Sequence, residues 1–531
     1  MMIVHPNQKM VFNDKLHIIG VEGTDAIVNK IVAQLRVNFT TISKEIVPYM
    51  HFANGEAKVE LSESVRGKFT YLICDRYGKY SSQDIKYNDR LMQELLLVQC
   101  AKNHGAKGIS MGGMSESNRK GEGFLPIYNQ AESFQSIFGP MYSTNTLETS
   151  SIDLLNPETK LVQNVIKEFE AKNRMLPNQK EKIHLIGTQD TMGLVASMQA
   201  YLVNALGSDV VSSETSLYKE SSLGITEIDL KNSFAGKHVY VVGDVNGKKN
   251  VDHFTISYND RLVQLFLLLK YARDYAAKTV NVIPTCFPYS RQDKPTQGGL
   301  KERVVREPSS AQFMIDILQD TFGVDYCLTM DIHNPAVINN SIETNFVNLY
   351  TGWMIQHVSD ILKKEGKNDL IIAPMDEGGL KKVSSIAKDL QFNYLTVIKT
   401  RDYSKINSVD EIFVHGDVQG KNILIHDDIL DTGGSLIKLV QKLHELGARS
   451  VNIAITHGMF NNDALDKLQL LYEQGLFEHI YVSNTVYRDI DLYPDFIKVV
   501  DASINFADPI KSIYSGESIN YNYGVTPATT Q

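Results

Sequence analysis

Residues 423–436 read ILIHDDILDTGGSL. The apolar start of this segment predicts a buried parallel strand at residues 423–425, and apolar residues at helical spacing predict a helix that ends at Gly447. The polar residues between them therefore form a loop at the carboxyl end of a strand and the amino end of a helix. Free backbone N–H groups and the positive end of the helix dipole attract phosphate at such a position. The segment thus predicts an α/β domain that binds a phosphorylated ligand.

The side chains of this loop suit a phosphorylated sugar. Adjacent glycines let the backbone approach a phosphate closely, and flanking hydroxyl groups can donate hydrogen bonds to it. Two adjacent carboxylates can accept hydrogen bonds from the 2- and 3-hydroxyls of ribose. The alternative is an ordinary acidic turn that caps a helix. The candidate ligand-binding residues are Asp427, Asp428, Asp431, Thr432, Gly433, Gly434 and Ser435.

Length and composition place the chain among globular proteins of several domains. Its 531 residues suggest three or four domains of ordinary size. It contains no apolar stretch of transmembrane length and no signal-peptide pattern at its amino terminus, so we expect a cytoplasmic protein without a membrane partner. The four cysteines lack CxxC spacing and are predicted to be reduced core thiols. A net charge of −9 with dispersed basic residues argues against nucleic-acid binding.

The chain contains an internal repeat. The segment KLHIIGVEGTDAIV at residues 15–28 matches KIHLIGTQDTMGLV at residues 182–195, and YNDRL occurs at residues 87–91 and again at 258–262. Each copy alternates strand-like apolar runs with helical patterns, which is typical of a layered α/β domain. The length and order of the matching blocks favour a duplicated domain over a chance match.

A series of motifs along residues 182–518 resembles, in the same order, the motifs of the ribose-phosphate pyrophosphokinases, or PRPP synthetases. They are CFPYSRQD at 286–293 (the flag segment), REPS at 306–309, LTMDIH at 328–333, DEGG at 376–379, KTR at 399–401, the sugar-phosphate loop described above, and THG at 456–458. The resemblance implies tandem phosphoribosyltransferase-type (type I) domains, an α/β fold with mainly parallel sheets and helices on both faces.

The resemblance also implies a reaction and a cofactor. The β,γ-diphosphoryl group of ATP would move to the anomeric hydroxyl of ribose 5-phosphate, giving PRPP and AMP. Such a transfer depends on charge neutralisation more than on covalent chemistry. The expected cofactor is Mg²⁺, held near His333 and Asp376. The loop expected to bind diphosphate consists of Asp376, Glu377, Gly378 and Gly379.

Two basic residues are the candidate catalytic groups. Lys399 and Arg401 follow a strand-like run and lie between two phosphate-binding motifs. Residues two apart in an extended chain face the same side, so both cations can converge on the transferring phosphates. The alternative is a solvated pair of charges at the end of a strand.

The two copies of the repeat retain different motifs. The first contains HFANGEAK at residues 51–58, which resembles the adenine-binding loop of the same family, and the second has lost it. Conversely, the first copy has lost the flag motif at residues 120–122. In the family a neighbouring subunit supplies the adenine loop, so the first copy is expected to act as a built-in neighbour, within one chain or between chains. The predicted ATP-binding residues are Phe52, Asn54, Glu56, Arg291, Gln292 and Asp293.

The predicted organisation has a degenerate first copy at residues 11–150, a helical linker at 151–181 and a catalytic pair of domains. The pair comprises residues 182–330, completed by 500–518, and residues 331–499, followed by a tail at 519–531. We expect a homo-oligomer. Departures from the family pattern at residues 294–305 and 336–341 leave the acceptor open between ribose 5-phosphate and a larger ribosyl 5-phosphoryl compound such as ADP-ribose. A catalytically inactive regulatory partner of a synthetase is a further alternative, which the retained site motifs disfavour.

Overall fold

The structure is a computed structural model of the chain. It describes residues 12–36, 39–66, 68–74, 85–104, 106, 108–113, 181–221, 225–247, 256–294, 296–298, 305–338, 341, 344–349, 352–400 and 411–519. The predicted linker, except for residue 181, and the tail, except for residue 519, lie outside these ranges, as does the predicted loss of the flag motif at residues 120–122.

The described elements alternate strands and helices along the chain. The strands are β1 (Phe12–Val21), β2 (Phe39–Val47), β3 (Met50–His51), β4 (Ala57–Lys58), β5 (Phe69–Cys74), β6 (Gly108–Gly113), β7 (Lys182–Thr188), β8 (Val211–Ser216), β9 (Lys219–Glu220), β10 (Thr226–Glu227), β11 (Lys237–Gly243), β12 (Thr279–Pro284), β13 (Thr296–Gly298), β14 (Val305–Glu307), β15 (Tyr326–Met330), β16 (Asn345–Leu349), β17 (Leu370–Pro374), β18 (Asn393–Tyr394), β19 (Thr396–Thr400), β20 (Glu411–His415), β21 (Asn422–Leu430), β22 (Ser450–Gly458), β23 (Ile480–Ser483) and β24 (Ile497–Val500). The helices are α1 (Asp25–Leu35), α2 (Tyr87–Asn103), α3 (Met192–Leu206), α4 (Tyr258–Asp274), α5 (Ser310–Asp316, continued by a π-helical turn at Ile317–Thr321), α6 (Gly352–Lys364), α7 (Leu380–Asp389), α8 (Gly434–Glu445), α9 (Ala464–Glu473) and α10 (Ser503–Ser515), with a 3₁₀ turn at Ile490–Leu492.

Three parallel sheets form the framework. Their strand orders are β2-β1-β5-β6, β16-β15-β12-β11-β7-β8 and β18-β17-β21-β22-β23-β24. All neighbouring strands within these sheets run parallel. Parallel sheets need helical crossovers that cover their faces, and the buried, apolar strands fit that position. The predicted α/β fold class is confirmed.

The first two sheets share a strand order. The order β2-β1-β5-β6 in the first sheet corresponds to β8-β7-β11-β12 in the second, which β15 and β16 extend. Each sheet also has a short antiparallel hairpin after its second strand, β3–β4 in the first domain and β9–β10 in the second. The repeated sequence segments therefore occupy the same positions in two similarly connected sheets.

The two YNDRL helices, α2 and α4, meet in a reciprocal interface. Asn88 Nδ2 donates a hydrogen bond to Asp260 Oδ1 at 2.9 Å, and Asn259 Nδ2 donates to Asp89 Oδ1 at 2.9 Å. Asn88 and Asn259 occupy the same position of the motif, as do Asp89 and Asp260. An exchange of identical contacts is the mark of an isologous, two-fold interface, here formed within one chain.

Apolar packing reinforces this interface. A continuous buried cluster includes side chains of α2, such as Leu96 and Leu97, together with side chains of α4, such as Leu265 and Leu268. Each large apolar side chain that is fully buried contributes about 1.5–3 kcal/mol relative to exposure. The first and second domains therefore share one hydrophobic core.

The carboxyl-terminal helix returns to the second domain. Helix α10 packs against α3, and the Tyr201 hydroxyl donates to Asp508 Oδ1 at 2.5 Å. All four cysteines are buried and free of disulfide bonds, as predicted. Among the described helices, none combines the length and apolar character that crossing a membrane requires.

Asp89 is a titratable residue within the reciprocal interface. Its carboxylate also accepts a hydrogen bond from Ser257 Oγ at 3.1 Å. Burial raises the pKa of Asp89 from 3.8 to about 6. Because the pKa is higher in the folded state, folding takes up a proton when the pH lies between 3.8 and about 6. Protonated Asp89 therefore contributes roughly 3 kcal/mol to the free energy of unfolding. This contribution is complete below about pH 4 and is lost as the pH rises through about 6.

Asp89→Asn should remove this pH dependence, because asparagine retains an acceptor oxygen for Asn259 and Ser257 but does not titrate. The thermal unfolding midpoint of the variant should exceed that of the wild type at pH 8 and approach it at pH 4. Asp274→Asn removes an exposed ion pair with Lys270 at the other end of α4, so it should not raise the unfolding midpoint at pH 8. An equal shift at both pH values would contradict the assignment to Asp89.

Candidate active site

The predicted strand, sugar-phosphate loop and helix follow one another as expected, but β21 extends to Leu430, so Asp427 and Asp428 lie in the strand and the loop begins at Asp431. Strand β21 lies between β17 and β22 in the third sheet, and helix α8 begins at Gly434. Gly433 has φ +77°, a left-handed conformation that glycine adopts without strain. A Cβ at Gly434 would meet no protein atom within 4 Å, so packing alone does not require glycine there. The open space above Gly434 leaves room for a ligand to approach the backbone.

A half-buried network of charges surrounds Asp428, the second of the two adjacent carboxylates. The Lys382 Nζ atom lies 2.8 Å from Asp331 Oδ1 and 4.0 Å from Asp428 Oδ1. His333 Nδ1 lies 2.9 Å from Asp428 Oδ2. The Thr456 hydroxyl donates to Asp331 Oδ2 at 2.7 Å. The network therefore joins the end of β15, helix α7 and the ends of β21 and β22 beneath one cleft.

The charges in this network set opposite protonation preferences for the adjacent carboxyl groups. Burial acts to raise the pKa of Asp428, but the charge of Lys382 and the hydrogen bond with His333 outweigh it and hold that pKa well below its usual range. Burial, together with the neighbouring Asp428, raises the pKa of Asp427 well above its usual range. The hydrogen bond with Asp428 raises the pKa of His333. Asp428 is therefore the carboxylate held in the charged form.

Sequence reasoning missed Lys382. Burial alone would lower the pKa of this lysine, but the charges of Asp331 and Asp428 raise it. Its position could have been a signal, since Lys382 follows Gly379 by three residues and so lies one turn into the helix after the diphosphate loop. Lys438, one turn into α8, also borders the cleft and was not predicted from the sequence.

The predicted diphosphate loop borders the same cleft. It follows β17, and the Gly379 amide donates to Asp376 Oδ1 at 3.2 Å before α7 begins at Leu380. The open cleft encloses about 960 Å³ of empty space, part of which is exposed to solvent. The predicted residues that line it are Arg291, His333, Asp376, Asp427, Asp428, Asp431, Thr432, Gly433, Gly434 and Ser435.

The adenine-loop hairpin of the first domain packs against the flag segment of the same chain. The Glu56 carboxylate is 5% exposed and accepts hydrogen bonds from the Tyr258 hydroxyl at 3.0 Å and the Tyr289 amide at 2.9 Å. The Gln292 side chain donates to it at 3.4 Å. Phe52, at the tip of the hairpin, is 37% exposed. The structure therefore brings the two predicted parts of the ATP site together in cis.

The flag segment also contacts the sugar-phosphate loop. Arg291 Nη1 lies 2.7 Å from Asp431 Oδ2 in an ion pair. The Gln292 side-chain oxygen accepts a hydrogen bond from Ser310 Oγ at 2.7 Å. Asp293 Oδ2 accepts one from Asn334 Nδ2 at 2.6 Å. One segment therefore contacts the first domain on one side and the third sheet on the other.

The predicted catalytic pair is only partly described. Lys399 belongs to β19, and its backbone is in register with Ile412 of β20. Arg401 lies outside the described residues. Within the described part of the chain, no group of three or more His, Cys, Asp or Glu side chains forms a ready metal site.

Comparisons with known proteins point to the same family as the sequence motifs. The family model for the N-terminal domain of ribose phosphate pyrophosphokinase matches residues 16–111 and again residues 189–321, and the model for the phosphoribosyl synthetase-associated domain matches residues 395–524. Ribose-phosphate pyrophosphokinase 2 of Saccharomyces cerevisiae is 30% identical over 302 residues, which cover 57% of this chain and 87% of the yeast protein. Ribose-phosphate pyrophosphokinase 4 of the same yeast is also 30% identical, over 57% of this chain and 85% of its own length.

A solved structure shares the fold. The crystal structure of phosphoribosylpyrophosphate synthetase from Mycobacterium smegmatis aligns with a TM-score of 0.53 and 22% identity, covering 63% of this chain and 100% of that one. The family models and the yeast relatives together establish the relationship that the motifs predicted. The chain belongs to the ribose-phosphate pyrophosphokinase family.

Proposed function

We propose that this chain transfers the β,γ-diphosphoryl group of ATP to the anomeric hydroxyl of ribose 5-phosphate, giving PRPP and AMP. The observation that carries the proposal is the cleft, in which the sugar-phosphate loop, Asp376 of the diphosphate loop and Arg291 of the flag segment border one space. The anomeric oxygen would attack the β-phosphorus of ATP, the bond to the α-phosphate oxygen would break, and the hydroxyl proton would be released.

A carboxylate side chain and backbone amides of the cleft would bind different parts of the acceptor. Asp428, held ionised by Lys382, would accept hydrogen bonds from ribose hydroxyls. The backbone amides from Gly433 onward, at the amino end of α8, would bind the 5-phosphate. The amides of Gly378 and Gly379 would bind the diphosphate, and Lys399 and Arg401 would neutralise charge that develops during its transfer.

The side chains present fit a Mg²⁺ ion. Mg²⁺ prefers oxygen ligands and is commonly held by one or two carboxylates together with substrate phosphates, so a large protein cluster is not required. Asp376 and His333 would hold it; because His333 Nδ1 is engaged by Asp428, Nε2 is the ring nitrogen that would serve the ion or its water. When bound, the ion would neutralise phosphate charge and polarise the transferred group.

The first domain would serve as a built-in neighbour that completes the ATP site. The cis contacts of Glu56 with the flag segment, the reciprocal interface and the two matches to one family model support this proposal. The exposed ring of Phe52 would stack on adenine. The degenerate copy would then contribute binding but no catalytic groups of its own.

The direct test is to incubate the purified full-length chain with ATP, Mg²⁺ and either ribose 5-phosphate or ADP-ribose, and to identify the products by mass spectrometry. We expect PRPP and AMP from ribose 5-phosphate. A diphosphorylated product from ADP-ribose alone would reassign the acceptor. The absence of AMP with either acceptor would support the inactive regulatory alternative.

Lys382→Met should raise the Michaelis constant for ribose 5-phosphate by roughly tenfold or more, because Asp428 would lose the cation that keeps it charged and with it charge-assisted hydrogen bonds worth about 1.5–3 kcal/mol. The Michaelis constant for ATP should change much less. Lys382→Arg retains the positive charge and is the matched control. Equal effects on both substrates would indicate general damage to the fold and not a specific role at the acceptor.

Co-expression of two inactive variants should test completion in cis. One chain would carry Phe52→Ala and Glu56→Ala, and the other Lys399→Ala. Because each chain supplies its own adenine loop, the mixed assembly should stay inactive in an assay of AMP formation. Activity well above the sum of the two separate variants would require sites shared between chains and would refute the built-in neighbour.

A further inference from the structure

The ion pair between Arg291 and Asp431 lies at the boundary between two spaces. Both residues line the open cleft that the sugar-phosphate and diphosphate loops border. Both also line a small cavity on the other side, together with Asn54 and Glu56 of the adenine-loop hairpin. The pair therefore lies between the loops expected to bind the acceptor and the hairpin expected to bind adenine.

Asn461, in the loop after β22, holds Asp431 in place. Asn461 Nδ2 donates to Asp431 Oδ1 at 2.9 Å, and the Asn461 backbone amide donates to the Asp431 carbonyl oxygen at 3.1 Å. A carboxylate in an ion pair only accepts hydrogen bonds, so the side-chain bond fixes which end of the Asn461 amide faces it. Asn461 is only 5% exposed. One buried residue thus fixes both the side chain and the backbone of Asp431.

The core of the third domain in turn fixes the position of Asn461. The preceding residue, Phe460, has φ +46°, a left-handed conformation that a large side chain disfavours. Such a conformation persists only where the surrounding structure holds it. The Phe460 ring is buried in the core beside the third sheet, and its amide donates to the Leu430 carbonyl oxygen at 3.2 Å. Asn461 is therefore attached to a packed part of the domain.

The contact with Asp431 leaves Arg291 able to bind a ligand. A guanidinium carries five N–H donors, and the ion pair engages Nη1. The Arg291 side chain is 51% exposed, so without a partner it would sample several rotamers and would have to be ordered when a ligand binds. A fixed carboxylate reduces that cost before the ligand arrives. Asp431 thus orients an arginine whose other donors remain available to phosphate.

We propose that Asp431 and Asn461 are positioning residues for the nucleotide, which hold Arg291 in the orientation that binds the phosphates of ATP. This inference rests on the proposed use of ATP. Arg291 would touch the nucleotide, Asp431 would act through Arg291, and Asn461 would act through Asp431. The sequence motif assigns Asp431 to the acceptor, whereas its contacts assign it to the nucleotide.

The experiment is isothermal titration calorimetry of the full-length chain with ATP and Mg²⁺, combined with the steady-state Michaelis constant for the acceptor at saturating ATP. Asn461→Ala removes the side-chain donor to Asp431 without changing the charge of the site. The dissociation constant for ATP should rise about three- to tenfold, the effect of roughly one hydrogen bond. The Michaelis constant for the acceptor should stay at the wild-type value.

A double-mutant cycle separates positioning from general structural damage. If Asn461 acts through Arg291, then Asn461→Ala should not weaken ATP binding further in a chain that already carries Arg291→Ala. A structural defect would weaken binding by the same factor in both backgrounds. Asn461→Leu, which is close to asparagine in shape, provides the same test if the alanine variant does not fold.

Asn484→Ala is the matched control. Asn484 follows β23, the neighbouring strand, and donates to Asp501 Oδ1 at 2.8 Å, but it lines neither the cleft nor the small cavity. Its dissociation constant for ATP should equal that of the wild type.

Three results would overturn the inference and leave the proposed function intact. They are unchanged or tighter ATP binding by Asn461→Ala, an equal loss of binding in the Arg291→Ala background, and a raised Michaelis constant for the acceptor with unchanged ATP binding. The absence of ATP binding by the wild type would instead refute the proposed function and, with it, this inference.

Discussion

The buried carboxylate of Glu56 is the contact on which the assembly of this site depends. It comes from the first domain and accepts hydrogen bonds from Tyr258, Tyr289 and Gln292 of the second. Burial raises its pKa, so these donors are needed to offset the cost of holding it in the interior. Because Tyr289 and Gln292 lie on either side of Ser290 and Arg291, this buried group contributes to the position of the flag segment.

The reciprocal interface explains how one chain can supply such a contact. Two copies of YNDRL exchange Asn–Asp hydrogen bonds across helices α2 and α4, and a shared apolar core lies beside them. Covalent linkage of the two halves replaces an intermolecular association by an intramolecular one, which removes the concentration dependence of pairing.

The cleft of the third sheet is organised by a different constraint. Asp331 and Asp428 lie close together at the carboxyl ends of parallel strands, where their mutual repulsion must be offset. Lys382 lies within 4.0 Å of both. The network also includes His333, whose Nδ1 lies 2.9 Å from Asp428 Oδ2. Separately, the ion pair between Arg291 and Asp431 joins the flag segment to the loop that follows β21.

The sequence by itself determined the strand–loop–helix at residues 423–445, because hydrophobic periodicity and adjacent glycines encode it locally. It also determined the family, the duplication of motifs and the free buried cysteines. Only the tertiary structure showed that the adenine loop meets the flag segment in cis and that Lys382 lies beside the carboxylates of Asp331 and Asp428. These facts depend on contacts between residues far apart in the chain, and local patterns carry no distances between such residues.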